Sequence, residues 1–338
     1  FICRGVRKMQ NLKFHSLKFY LISLVFGVFF FGCVEAQELG DESNWIPLQV
    51  IDVNKLPWDS RYRMGHEGTS SGKLLFSEKG GGTLLYIKFN PGWSADGIEA
   101  HYHTFHEWGY ILKGDFPVYE HVSPNQKKGT LVKMRPGTFM DRPAYSIHGN
   151  RASTMEDQIV TPGSTQLLFY EPGKTVSLNP ENRSYSDEWK DVEEFFSANF
   201  QHSATTDIME WEEDNELPGV YVKWLSDHLD KGYMAKLRYA PSGWSHPKKG
   251  LKKYNKQGYR FIYILSGDMK IQLFNGLGEN PSVTIASEDF FISQAPFSIW
   301  SWGEGELTQQ GVTWLEIQYG KGTVIGQGPI QSPVVIKE

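Results

Sequence analysis

Tyr110 to Asp115 reads YILKGD and Tyr263 to Asp268 reads YILSGD, one change in six residues at an offset of 153. Upstream of each copy, Leu84 to Ser94 (LLYIKFNPGWS) recurs as Met234 to Ser245 (MAKLRYAPSGWS), one residue longer. Downstream, Tyr145 to His148 (YSIH) recurs as Phe297 to Trp300 (FSIW). Three matches in the same order at offsets of 150–153 describe one unit of about 150 residues, present twice. Chance recurrence of strand composition is the rival, and it does not account for the shared order.

Within each copy short strands follow one another. They are expected at 73–78, 83–90, 107–113, 115–121, 130–135 and 166–171 in the first, and at 219–225, 233–240, 260–265, 268–274, 282–286 and 312–319 in the second. Clusters of Gly, Pro, Asn and Asp separate them, and 34 glycines with 14% aromatic residues suit turns and pleated sheets. The expected fold is all-β, two tandem jelly-roll barrels. The first spans 45–175 and the second 211–325, joined by a connection at 176–210 with a short helical stretch around Ser186 to Phe196. A length of 338 residues agrees with two domains. A formal net charge of −5, from 34 basic against 39 acidic residues, leaves no surplus to neutralise phosphates, so nucleic acid is not an expected partner.

From Met9 the chain carries Lys13 and Lys18, an apolar run from Phe19 to Phe31, and then Gly32, Cys33, Val34, Glu35 and Ala36. That is the pattern of a secretory signal within residues 1–36, cleaved after Ala36 to free Gln37. The apolar run is short of the roughly 20 residues of a spanning helix, so no membrane span is expected in the mature chain. Acylation at Cys33 as a lipoprotein is the alternative. The two cysteines are Cys3 and Cys33, so the exported part relies on core burial rather than disulfides.

Five of the ten histidines lie between 101 and 148. His101 and His103 are two apart, which on a strand puts both imidazoles on one face. Glu107 follows four residues later, near enough to join them if the chain turns at Thr104 to His106, and His148 is a fourth candidate. Three imidazoles and a carboxylate gathered in a barrel would hold a divalent metal with one or two positions open for chemistry. The bland alternative is a set of scattered polar residues, which inside an apolar barrel would cost about 1–3 kcal/mol for each unsatisfied group.

These residues resemble the cupin superfamily. His101-x-His103-x3-Glu107-x6-Gly114 is similar to the first cupin motif, and Gly137-x5-Pro143-x4-His148 to the second, with Tyr145 where a glycine is usual. With the duplication, the chain resembles a bicupin across roughly 45–325. The resemblance implies His101, His103, Glu107 and His148 as metal ligands. Ala95 stands where a glycine is expected six positions before His101, which touches the first turn but no ligand.

The resemblance further implies a small-molecule substrate. Cupins with this ligand set and duplication include dioxygenases of diketones, flavonols and other enols, and an iron(II) oxygenase is the expectation, with Glu107, Tyr110 and Tyr145 as catalytic candidates. Manganese, nickel, cobalt, copper and zinc also suit three nitrogen donors and one oxygen donor. Tyr110, Tyr145 and Trp108 flank the ligands and are read first as aromatic wall, with a tyrosine hydroxyl aimed at substrate as the second reading. A carbohydrate isomerase or lyase, and a non-catalytic metal-containing binding or sensory module, are the other readings. A homodimer is compatible with all three.

The duplication supplies a control. At offsets of 152–153, His101 falls on Lys253 or Tyr254, His103 on Asn255 or Lys256, Glu107 between Gln257 and Arg260, and His148 on Trp300. The second barrel is therefore expected to lack the metal. His106 is expected at the surface, with a proton shuttle as the alternative, His121 similarly, and His15, His66, His202, His228 and His246 as ordinary surface or loop residues. Trp93 and Trp244 recur and are read as fold residues.

Overall fold

The computed structural model describes residues 48–77, 83–95, 100–103, 106–121, 129–142, 146–149, 160, 163–171, 175–177, 202–228, 233–246, 253–255, 259–273, 282–294, 298–301 and 308–319. The signal segment, both cysteines, Tyr145 and the helical stretch expected near 186–196 lie outside them. Residues 43–338 belong to one compact unit.

The first half contributes β1 (Gln49–Asp52), β2 (Ser70–Ser77), β3 (Thr83–Phe89), β4 (His101–His103), β5 (Glu107–Lys113), β6 (Phe116–Glu120), β7 (Thr130–Met134), β8 (Thr138–Arg142), β9 (Thr165–Glu171) and β10 (Thr175–Ser177). The second contributes β11 (His202–Thr205), β12 (Glu212–Glu213), β13 (Tyr221–His228), β14 (Tyr233–Ala240), β15 (Lys253–Asn255), β16 (Arg260–Leu273), β17 (Ser282–Ser287), β18 (Phe290–Gln294), β19 (Ser298–Ser301) and β20 (Val312–Tyr319). One large sheet runs β11-β8-β5-β9-β3-β2, accompanied by the pairs β10-β4 and β6-β7. The other runs β1-β18-β16-β20-β14-β13-β12, with β15, β17 and β19 attached off that path. The chain is all-β, two tandem jelly-roll barrels.

Why the central strands carry apolar side chains on both faces follows from their place between two cores. In β3, Leu85, Ile87 and Phe89 fill the first barrel with Ile111, Met140, Leu167 and Phe169. The alternate residues Leu84 and Tyr86 turn outward and pack with Trp108, Tyr110, Leu168 and Tyr170 against Leu237, Phe261, Tyr263 and Ile317 of the second half. The second barrel has its own interior of Ile262, Ile264, Met269, Ile292 and Trp314. The seam is thus a buried apolar cluster in its own right, and truncating one of its aromatic residues to alanine is worth about 3–5 kcal/mol.

The halves also exchange strands. β1, from the first half, pairs antiparallel with β18, and β11, from the second, pairs with β8. β11 lies within the stretch expected as a connection. Each exchanged strand leads into a 3-10 turn that docks on the host barrel, Val53 N donating to Asp289 O and Thr206 N to Gly137 O. Gly137 has φ +81°, and at the corresponding turn of the second half Asp289 takes φ +64°, a left-handed conformation that short polar side chains tolerate better than most.

A further repeated device had no match in the quoted runs. Lys73 Nζ lies 4.7 Å from the Trp58 ring centroid and donates to Val53 O, while Lys223 Nζ lies 4.4 Å from that of Trp211 and donates to Thr206 O. Trp93 and Trp244 are fold residues: their indole N–H groups donate to Met64 O and Pro218 O, each at 2.9 Å.

Candidate metal centre

β4 is a three-residue strand, and its alternation turns His101 and His103 to one side while Tyr102 faces the other. His148 reaches the same point through a backbone bridge, His101 N donating to His148 O (2.9 Å) and His148 N to His101 O (3.0 Å). One ring nitrogen from each of His101, His103 and His148 lies within 4.8 Å of the other two. Glu107, the first residue of β5, completes the group with Oε2 at 2.6 Å from His103 Nε2 and Oε1 at 3.6 Å from His148 Nε2. The structure therefore brings together all four residues singled out by spacing.

Electrostatics prepare this group for a cation. Burial, and then the nearby Arg142 and His101, push His148 well below the ordinary histidine range, so its imidazole is neutral. Its Nδ1 sits 3.2 Å from Ser146 O, which assigns the proton to Nδ1 and leaves the Nε2 lone pair toward the centre. Burial alone would raise Glu107, but His148, Arg142 and His103 beside it hold the carboxyl well below its usual range. Two lone pairs 2.6 Å apart, on His103 Nε2 and Glu107 Oε2, need a proton or a shared cation between them. A divalent ion fits this donor set.

Two residues that spacing did not single out complete the surroundings. Arg142, buried at the end of β8, donates to Glu107 Oε1 through Nη1 and to Glu120 Oε1 through Nε (3.1 Å) and Nη2 (2.5 Å). Burial opposes the guanidinium charge, but Glu120 and then Glu107 outweigh it and raise Arg142 further. Nothing in a lone Arg before Pro143 announces this clamp. It becomes visible once Glu107 and Arg142 are seen as register partners on β5 and β8.

His106 was expected at the surface and is buried instead. Its Nε2 lies 2.5 Å from Asp141 Oδ1, its ring packs 3.9 Å from that of Tyr233, and Ser226 Oγ donates to Asp141 Oδ2 at 2.7 Å. Strand alternation correctly turned it away from the ligand face, but that other face is the seam between barrels, not solvent. His121 is likewise buried, with Nε2 3.0 Å from Gly149 O. His246 is buried near Trp244, whereas His66 is exposed.

Tyr110, a catalytic candidate by position, is not brought to the centre. Glu107, Gly109 and Ile111 alternate inward along β5, so Trp108 and Tyr110 face the seam, where Tyr110 shares a hydrogen bond with Thr206. Trp108 stacks on Tyr170 at 6.1 Å and donates to the Tyr319 hydroxyl at 3.0 Å, an aromatic wall between the barrels.

The second barrel repeats the frame without the donors. The His101·His148 bridge has its counterpart in Lys253 paired with Trp300, and Asn255 follows two residues on in β15. Glu107 pairs with Arg142 across β5 and β8; Arg260 pairs with Gln294 across β16 and β18. Among the described residues, the one group of three or more metal-binding side chains is the His101, His103 and His148 set.

Solved structures share this architecture. The chain aligns with a candidate dioxygenase from Nostoc punctiforme at a TM-score of 0.54 and 13% identity, covering 80% of this chain and 82% of that one. Protein YlbA of E. coli aligns at 0.50 and 11% identity over 83% and 96%. Oxalate decarboxylase of Lactobacillus farciminis aligns at 0.50 and 11% identity over 83% and 88%. The fold is that of a bicupin. No family model and no curated protein matches the chain by sequence. Among the described residues no helix is long and apolar enough to cross a membrane.

Proposed function

We propose that this bicupin is an exported enzyme that works with one divalent metal ion, iron(II) foremost, held in the first barrel by His101, His103, His148 and Glu107. The observation that carries the reading is the convergence of three ring nitrogens within 4.8 Å, from buried His103 and His148 and half-buried His101, with an ionised carboxylate beside them. The reaction class we assign is dioxygenation of a small enol or diketone. The relatives by fold, among them a candidate dioxygenase, support that choice by analogy.

A divalent ion at this centre supplies Lewis acidity and, when redox-active, electron transfer to dioxygen. The chain's own residues do the rest. Neutral His148 keeps its Nε2 toward the centre because Ser146 O holds the other nitrogen. Arg142 fixes Glu107 through Oε1 and so leaves Oε2 toward the centre, where it would either hold the ion or, released from it, accept a proton from an acidic C–H or enol O–H. The apolar barrel interior around Met140, Leu85 and Phe169 excludes water from the far side.

The buried Arg142–Glu120 pair beside the ligands favours a second reading, an isomerase or lyase, since such chemistry draws on polar and acid/base groups near the metal. Oxygen consumption separates the two. Chain from Gln37, purified without chelators, is analysed for metals and then followed with an oxygen electrode in iron(II) and a panel of diketones and enols. About one metal per chain with substrate-dependent oxygen uptake supports the dioxygenase. Metal with turnover but no uptake moves the assignment to the isomerase or lyase, metal with neither moves it to a binding module, and no bound metal overturns the reading.

A further inference from the structure

The second barrel also keeps a polar centre inside, built on cations and carboxylates rather than imidazoles. In the first barrel β3 and β9 pair Leu85 with Phe169 and Ile87 with Leu167, all facing inward. The matching strands β14 and β20 pair Lys236 with Glu316 and Arg238 with Trp314. With Arg260 at the position corresponding to Glu107, three cations lie on the inward faces of these strands, two of them where the first barrel is apolar and one where it has a ligand.

Their partners are unequal. Arg238 bonds Asp214 Oδ2 through Nε (2.6 Å), Glu316 Oε2 through Nη1 (2.5 Å) and Glu216 Oε2 through Nη2 (2.5 Å). Arg260 Nε lies 3.3 Å from Glu316 Oε1. Asp214 and Glu316 are buried, so two buried carboxylates face the three cations. The third carboxylate is Glu216, whose Oε1 is 3.0 Å from Lys236 Nζ and whose side chain is 56% exposed. Lys236 itself is 0% exposed, and among the described residues Glu216 is the one carboxylate in ion-pair range of it. The Lys236 ammonium lies 4.5 Å from the Trp224 ring centroid, and that indole is 37% exposed.

A buried ammonium requires an anion, because an unpaired one costs several kcal/mol. Here the anion comes on a side chain that solvent reaches, bridging Lys236 Nζ and Arg238 Nη2 as a free carboxylate would. We propose that the mouth of the second barrel is a binding site for small carboxylates, in which Glu216 is a tethered occupant that a free carboxylate displaces. Trp224 offers a partly open aromatic surface to the body of the ligand, so a carboxylate on a planar apolar ring binds more tightly than acetate. The site is independent of the metal centre in the other barrel.

Benzoate and acetate test this on the full exported chain, by calorimetry and tryptophan fluorescence, with sodium chloride at matched ionic strength as the reference. Benzoate should bind the native chain, Glu216→Gln should bind it at least about tenfold more tightly because the tethered competitor is neutral, and Lys236→Met should lose the response. Glu216→Asp, one methylene shorter, serves if the glutamine variant folds poorly, and should also tighten binding. The His103→Ala chain should respond as the native chain does. Binding no stronger than chloride's in both Glu216 variants, a response retained in Lys236→Met, or one abolished by His103→Ala would each overturn the proposal, the last by placing the anion at the metal centre.

Discussion

Arg260 stands in the second barrel where Glu107 stands in the first: each opens the long inner strand, and each pairs across to the end of its neighbour, Gln294 and Arg142 respectively. A guanidinium repels a divalent ion from the position where a carboxylate would hold one. Lys253, Asn255 and Trp300 occupy the three histidine positions, so no single substitution restores a donor set. The chain should therefore bind one metal equivalent, and Arg260→Glu should still bind one. Elemental analysis showing two in the native chain would contradict the register comparison.

His103→Ala removes the donor that faces Glu107 at 2.6 Å. Metal affinity should fall by about 100-fold or more, since even outer partners of metal ligands are worth about 10–100-fold. The strand content seen by circular dichroism should hold. His66→Ala is the matched control because His66 is exposed, whereas His246 packs near Trp244 and its loss would mix packing with metal binding. Equal metal retention in the two variants would remove His103 from the site.

The sequence disclosed much of this because its signals are local. Two histidines at a spacing of two on a strand, and a recurring YIL-x-GD run, need no knowledge of the far partner. The misreadings share one physical origin. His106 and Tyr110 lie on the face of the strand opposite Glu107, and alternation says only that the two faces differ; that the second face is a buried seam depends on the other barrel. Arg142 and Asp141 were silent for the same reason, as a charged residue in a strand reads as solvated until its buried partners are located. The exchange of β1 and β11 is a pairing between strands more than 60 residues apart in each case, which no local pattern encodes.

Arg142 is the sole guanidinium among the described residues that bonds both Glu107 and Glu120. In Arg142→Ala two buried carboxylates would face each other without a cation, a change worth about 3–5 kcal/mol of stability when one partner of a buried pair is removed. A divalent ion then supplies the missing charge. Thermal unfolding of the metal-free variant should drop sharply, and the gain on adding manganese or zinc should exceed that of the native chain. A metal-free variant as stable as the native chain would show that the clamp contributes little.

Acid should destabilise the metal-free chain earlier than carboxylates alone predict. His148 is held well below its ordinary value near 6.5, so as pH falls through that value the unfolded chain takes up a proton that the folded chain refuses. Stability thus declines from about pH 6.5 downward. Glu107, also lowered from its ordinary 4.5, extends the loss below that pH, because again the unfolded chain binds the proton first. Denaturant titrations across pH 4–8 check the sign, and His148→Gln should flatten the upper part of the curve.

Strand exchange makes a final prediction about the halves. β1 covers the edge of β18, and β11 covers the edge of β8, so a chain cut near residue 200 leaves each half carrying a strand that belongs on the other. The first fragment would expose the β8 edge and the second the β18 edge, each a row of unpaired backbone groups that invites aggregation. Both would also expose the aromatic seam around Trp108, Tyr170, Phe261 and Tyr319. Expressed alone, residues 37–198 and 199–338 should be insoluble or self-associated. Co-expressed, they should recover a soluble one-to-one complex with one metal site, because every exchanged contact can re-form across the cut. A monomeric, cooperatively unfolding first fragment that binds metal by itself would show that neither β11 nor the seam is needed to build the centre.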